Sequence, residues 1–218
     1  MVQTVQIQRL YGLLLAVAAM VSSAIPVDAA TTVRIVAFGD SLVAGFGLKP
    51  SESFPAQLEL ALKSRGHNVE VVNSGVSGDT AANGLERFDW AVPDDAQAVI
   101  LELGANDALR GLDPKQTSAT LDQILSKLAN RKVPVLIAGM QSPRNWGEAY
   151  AAAFDGMYAD LASKHGAILY PFFLDGVALD PKLNQGDGLH PTGAGVAEIV
   201  KRITPKVEEL IGRLGPAQ

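Results

Sequence analysis

Cysteine is absent from the 218-residue chain. That removes disulfide scaffolds, thiolate zinc sites, iron–sulfur ligation and cysteine nucleophiles together. Histidine is scarce: His67, His165 and His190 are the whole supply. They are dispersed, with no His-Glu-x-x-His spacing, which disfavours a metallohydrolase. Aromatics make up only 6% of residues, no basic run occurs, and 23 acidic against 18 basic side chains leave a formal net charge of −5. A nucleic-acid partner is therefore not expected, because phosphate neutralisation needs clustered Lys and Arg. No Walker lysine pattern and no Gly-x-Gly-x-x-Gly fingerprint is present, so phosphate or nucleotide chemistry is disfavoured and no cofactor or metal is indicated. The Ser-centred Gly-x-Ser-x-Gly elbow is missing too, since Gly39-Asp40-Ser41-Leu42-Val43 breaks it.

What is present is apolar material for one core, 48% of residues. Arg9 precedes an apolar stretch from Leu10 to Ile25, interrupted by Gly12, Ser22 and Ser23 and followed by Val27-Asp28-Ala29-Ala30. The stretch reads as the apolar segment of a cleavable secretory signal, because a spanning helix needs about 20 uninterrupted apolar residues. Residues 1–29 are expected to be the leader, with cleavage after Ala29 and Ala24 as a second site. The remaining 30–218 are expected to form one domain in the periplasm or outside the cell. No stable membrane insertion is expected after cleavage, and a monomer is expected. Freedom from cysteine suits an oxidising compartment.

From Val33 onward short β-branched runs alternate with helical patterns. The strand candidates are Val33–Phe38, Val69–Val72, Ala98–Leu103, Val133–Ala138 and Ala167–Tyr170, continuous apolar runs as in a parallel sheet covered on both faces. The helix candidates are Phe54–Arg65, Lys115–Asn130, about Trp146–Lys164 and about Thr192–Leu210. Such alternation predicts a doubly wound α/β sandwich, whose ligand crevice lies beyond the carboxyl ends of the strands.

That geometry sorts the chemistry-bearing residues. His67 and His165 precede strands and fall on the far edge, whereas His190 follows the last strand. Asp187, three residues earlier, can reach back to Nδ1 and hold the ring; alternatively the segment is an Asp/Gly turn with Pro191 opening the final helix. Ser41 stands just beyond the first strand, as a nucleophile or merely as a helix N-cap. Gly78, in the loop after the second strand, and the Asn106 side chain, after the third, are candidate donors to an oxyanion; each loop taken alone is ordinary βα punctuation. Trp146, Phe172 and Leu189 are candidates for contact with an apolar acyl group, although Phe172 and Phe173 could equally be core.

The blocks Gly39-Asp40-Ser41-Leu42, Ser77-Gly78-Asp79-Thr80, Gly104-Ala105-Asn106-Asp107 and Asp187-Gly188-Leu189-His190-Pro191 together resemble the GDSL, or SGNH, hydrolase family. The fuller strings Val99–Gly111 and Pro171–Leu174 look like its branch of thioesterases, lysophospholipases and arylesterases. The resemblance spans about Val33 to Leu210. It implies a flavodoxin-like, three-layer α/β/α sandwich with a five-stranded parallel sheet, and a metal-independent serine esterase. In that pattern Ser41 is nucleophile, His190 base and Asp187 its orienter; the Ser41 and Gly78 backbone N–H groups and the Asn106 side chain form the oxyanion hole. The substrates implied are small-molecule esters and thioesters: aryl esters, acyl esters of varied length, acyl-CoA and lysophospholipids. Gln141–Gly147 corresponds to a substrate-contacting segment whose residues differ from those relatives, which leaves chain-length preference open. A carbohydrate O-acetylesterase is the alternative inside the family, and a non-catalytic secreted binding protein the alternative outside it.

Overall fold

The computed structural model describes residues 32–215; the expected leader, 1–29, lies outside the described residues. Five parallel strands form one sheet: β1 Val33–Gly39, β2 Val69–Gly75, β3 Ala98–Glu102, β4 Val135–Ala138 and β5 Ile168–Tyr170, in the order β2-β1-β3-β4-β5. The helices are α1 Ser41–Ala44, α2 Phe54–Ser64, α3 Ala81–Ala91, α4 Ala105–Leu109, α5 Pro114–Asn130, α6 Glu148–His165 and α7 Gly193–Gly212. Helices α2 and α7 pack together, and α3, α5 and α6 pack together in a second group. This is the flavodoxin-like three-layer sandwich.

Each layer follows from its sequence pattern. In α2, Phe54, Leu58 and Leu62 recur every fourth residue and are buried, while Glu59 and Lys63 form an exposed i,i+4 ion pair. In α7, Val196, Ile199, Val200, Ile203, Val207 and Leu210 make the buried stripe. Strand β3, Ala98-Val99-Ile100-Leu101-Glu102, is buried at every position, which accounts for its unbroken apolar run and makes its terminal carboxylate conspicuous.

From β1 the chain moves one way to β2, then crosses back past β1 to β3 and continues to β4 and β5. The reversal between β1 and β3 is a topological switch point, where the loops leaving adjacent strands diverge and open a crevice. Register makes that crevice level. Gly39 pairs with Gly75 on one side and with Glu102 on the other, so the loops after β1, β2 and β3 start side by side.

Departures from the sequence expectations have local causes. β2 runs three residues past Val72 into Asn73, Ser74 and Gly75, because as an edge strand it needs no second apolar neighbour there. β4 begins at Val135 rather than Val133, after Lys132 at φ 56° and Pro134, which has no N–H to give. Helix α6 begins at Glu148 rather than Trp146, since Arg144–Trp146 form a single 3-10 turn closed by Gly147. Helix α3 had no sequence expectation. Its buried face, Ala81, Gly84, Arg87, Phe88 and Ala91, keeps helical spacing but holds only one large apolar side chain, and Thr80 and Asn83 form a reciprocal capping box at its start. None of the helices among the described residues is long and apolar enough to cross a membrane.

Ile100, fully buried at the centre of the sheet, sets the first expectation. Ile100→Ala should lower unfolding stability by about 2–5 kcal/mol in urea titrations, because rigid strands on both sides cannot collapse into the cavity.

Candidate active site

Ser41 is the first residue of α1, immediately after the β1 exit. Asp40 caps that turn, its Oδ1 accepting the Leu42 N–H at 3.0 Å. Gly39 before it tolerates no side chain: a Cβ would lie 2.6 Å from Glu102 Oε2 and 2.5 Å from Val43 Cγ2. Ser41 is 9% exposed, and its Oγ lies 3.0 Å from His190 Nε2. The other ring nitrogen, Nδ1, is 2.6 Å from Asp187 Oδ2. Since an ionised carboxylate only accepts, Nδ1 carries the proton toward Asp187, leaving Nε2 to accept from the Ser41 hydroxyl.

Asp187 is held to this role by three donors. Its Oδ1 also accepts the backbone N–H groups of Leu189 at 2.9 Å and His190 at 3.0 Å. The His190 backbone bond first, then the bonds from the His190 ring and the Leu189 N–H, keep its carboxyl far below the usual carboxylate range. A depressed folded value means that this anion's contribution is present above the ordinary carboxylate range and disappears only as pH falls through the depressed value.

The backbone N–H groups of Ser41 and Gly78 have no intramolecular acceptor among the described residues. Gly78 sits at φ +87° with open space around its Cα, so glycine is needed there for its left-handed backbone and not for room. Its carbonyl receives Arg110 Nη2 at 2.9 Å, which fixes the peptide plane. Asn106, in the first turn of α4, sends Nδ2 to Asp40 Oδ2 and to the Asp79 carbonyl, each at 3.0 Å. The side chain thereby ties the β1, β2 and β3 loops together. Asp107 beside it accepts from the Ala81 N–H and the Thr117 hydroxyl; burial raises its pKa despite these donors.

Ser41, Asn106 and His190 open onto a cleft of about 640 Å³ whose walls include Leu42, Met140, Phe172, Leu174, Leu179 and Leu189. Of the three residues expected to meet an acyl group, Phe172 and Leu189 line it. Trp146 is not among the residues lining this cleft: its Nε1–H donates to the Ala108 carbonyl and its ring lies tilted against that of Tyr150, centroids 6.2 Å apart. Phe173 is core, fully buried and edge-on to Phe54. His67 and His165 are taken up elsewhere, by Glu208 at 3.1 Å and Asp122 at 2.6 Å.

A hydroxyl, a base within reach of it, a carboxylate orienting that base and free N–H groups alongside can carry out acyl transfer. The comparisons with known proteins agree. Residues 37–197 match the GDSL-like Lipase/Acylhydrolase family. The chain belongs to that family. The esterase TesA of Pseudomonas aeruginosa is 36% identical over 184 residues, 84% of this chain and 90% of that protein. The thioesterase 1/protease 1/lysophospholipase L1 of Escherichia coli is 38% identical over 164 residues, 75% of this chain and 77% of the relative. The crystal structure of AlinE4, an SGNH-hydrolase family esterase, superposes with a TM-score of 0.70 at 48% identity, covering 82% of this chain and 96% of that one. The present chain is accordingly a hydrolase of the SGNH type with serine esterase activity.

Two parts of this esterase's site escaped the sequence. Arg87, buried on α3, donates Nε to Asp79 Oδ2 at 2.6 Å and Nη2 to the Gly39 carbonyl at 2.9 Å, with its guanidinium 4.4 Å above the Phe38 ring. It clamps the β1 exit to the β2 loop. Gln185 sends Nε2 to the carbonyls of Phe46 and Pro191, at 2.8 and 2.9 Å, and its N–H to the His190 carbonyl at 2.7 Å, stapling the His190 loop to the segment after Ser41. The signals were there only in part: an arginine inside an otherwise apolar helix face, and a glutamine two residues before Asp187.

Asp79 and Arg87 form a buried pair, their side chains 12% and 7% exposed. Arg87→Ala should therefore cost about 3–5 kcal/mol, since it strands Asp79 without a partner. The double variant Asp79→Ala/Arg87→Ala should be more stable than Arg87→Ala alone, which chemical denaturation of the three proteins would measure.

Proposed function

We propose that this protein cleaves small carboxylic esters and thioesters through an acyl-enzyme on Ser41, with His190 as general base and Asp187 as its orienter. The observation that carries the proposal is the unbroken Asp187–His190–Ser41 chain, at 2.6 and 3.0 Å, beside an apolar cleft. The Ser41 and Gly78 N–H groups and Asn106 serve as oxyanion donors. Leu189 and Phe172, which line the cleft, contact the acyl chain. In support stand two relatives, an esterase and a thioesterase/lysophospholipase. The apolar walls favour acyl groups over the polar surfaces of an acetylated polysaccharide.

The steps balance without a further reagent. His190 Nε2 takes the Ser41 proton as Oγ bonds to the carbonyl carbon, and the carbonyl electrons move onto oxygen, where the donors hold them. Collapse expels the alcohol or thiol, which takes the proton from His190. Water then attacks the acyl-enzyme with the same assistance, and the acid leaves. Because Asp187 stays ionised far below the ordinary carboxylate range, its own titration contributes nothing to the pH dependence near neutrality.

A leader in residues 1–29, export, and a single monomeric domain from residue 30 onward complete the proposal. The composition of the Leu10–Ile25 stretch supports the export step.

Ser41→Ala should lower kcat on p-nitrophenyl butyrate by roughly 10³ to 10⁶-fold and abolish labelling by a fluorophosphonate probe. Asn106→Ala should lose about 10² to 10³-fold in kcat. Near-normal turnover by purified Ser41→Ala would exclude the mechanism. Substrate range is tested with p-nitrophenyl esters of increasing length, palmitoyl-CoA, lysophosphatidylcholine and acetylated xylan. Leu189→Ser and Phe172→Ser should reduce kcat/KM for long acyl chains several-fold more than for acetate; equal losses on all lengths would remove these residues from acyl recognition.

A further inference from the structure

Glu102 ends the central strand β3 and is wholly buried. Its Oε2 accepts the Asp40 backbone N–H at 3.3 Å, and its Oε1 has no hydrogen-bond partner. The Asp40 carboxyl, itself fully buried, stands on the same residue whose backbone N–H the Glu102 carboxyl accepts. The other charged and titratable groups in this corner are already engaged. Arg87 is bound to Asp79 and to the Gly39 carbonyl. Asp107 accepts from Ala81 and Thr117, and the Tyr158 hydroxyl donates to the Leu103 carbonyl at 3.0 Å. His190 is committed to Asp187 and Ser41.

Two carboxylates side by side and out of water cannot both be ionised, whereas one proton between them turns repulsion into a hydrogen bond. Asp40 is the better anion of the two, since it receives the Leu42 N–H on Oδ1 and Asn106 Nδ2 on Oδ2. The proton therefore belongs to Glu102.

We infer that Glu102 is a positioning residue: protonated, it donates to the Asp40 carboxylate and so fixes the acceptor that orients both the Ser41 turn and the Asn106 amide. The inference rests on the proposed role of Asn106 as an oxyanion donor. Burial first, then the neighbouring Asp40 charge, push Glu102 well above the carboxylate range. Asp40 is pushed up by burial only to about 6, against the pull of its donors. Both Asn106 amide hydrogens are engaged before substrate arrives. The geometry Asp40 imposes thus decides how readily one of them turns to a substrate oxygen. This oxygen gains negative charge only in the transition state, so loss of Glu102 should act on kcat and not on KM.

Three proteins test this: wild type, Glu102→Gln, whose amide N–H replaces the acid O–H, and Glu102→Ala, which has no donor. Glu102→Gln should keep kcat on p-nitrophenyl acetate within about threefold of wild type, whereas Glu102→Ala should lose roughly 10- to 100-fold, a fraction of the loss from deleting an oxyanion donor. KM should change less than about twofold in either, as for an interaction made in the transition state. Infrared spectra near neutral pH should show a protonated carboxylic acid band in wild type that is missing from Glu102→Gln. Should Glu102→Ala fail to fold, the Gln comparison still decides. Identical acid bands in wild type and Glu102→Gln, or wild-type kcat in folded Glu102→Ala, would overturn the inference. Fluorophosphonate labelling of the wild type, run in parallel, separates this failure from failure of the Ser41 assignment, because it does not involve Glu102 protonation.

Discussion

The site depends on a constraint of register. Gly39, Gly75 and Glu102 stand opposite one another at the carboxyl ends of three neighbouring parallel strands. A shift of one residue in β1 against β3 would turn every side chain of the strand to the other face. The same register that buries Ile35 and Phe38 between the helix layers thus brings the Ser41 turn, the Gly78 loop and the Asn106 turn to one level. Burial of the strands and alignment of the strand exits are one and the same event.

Within that frame the charges divide into two groups with different solvent access. Asp187 works at the surface, partly wet, and is held ionised by two backbone N–H groups and the His190 ring. Asp40, Asp79, Glu102 and Asp107 lie inside, and each meets its own donors: the N–H of a capped turn, a buried guanidinium, the Asp40 backbone N–H, a backbone amide with a hydroxyl. The dry side of this corner is consequently crosslinked by short polar contacts running from β1 to α3, α4 and α5. The wet side, from Asp187 to Leu189, is tied down mainly through Gln185 and its bonds to Phe46, His190 and Pro191.

Legibility differed between these two sides. The strands and long helices could be read because their apolar periods are set by burial, and burial acts on every residue of an element at once. Ser41, Gly78 and Asn106 could be singled out because each stands just after a strand, where a parallel sheet exposes its ligand crevice, and Asp187 and His190 because they lie in the long segment that leaves the last strand. Helix α3 could not, because its buried face is made of Ala81, Gly84, Arg87, Phe88 and Ala91, where small and charged residues stand at the helical spacing that large apolar ones mark elsewhere. Trp146 looked like a cleft residue from its loop position. Its indole N–H instead found the Ala108 carbonyl, a choice made by geometry across 38 residues.

By itself the sequence determined the alternation of elements, the parallel sheet, the edge on which chemistry could occur and the residue types gathered there, since all of these follow from local pattern and from the rule that apolar faces are covered. Tertiary structure alone decided which partners the buried polar groups take. Arg87 joins Asp79 from the next helix, Asn106 bridges two loops, and Glu102 meets Asp40 across 62 positions of chain. A hydrogen bond depends on distance and direction within a few tenths of an ångström, and distant parts of a chain acquire that relation only when the whole core has closed around them.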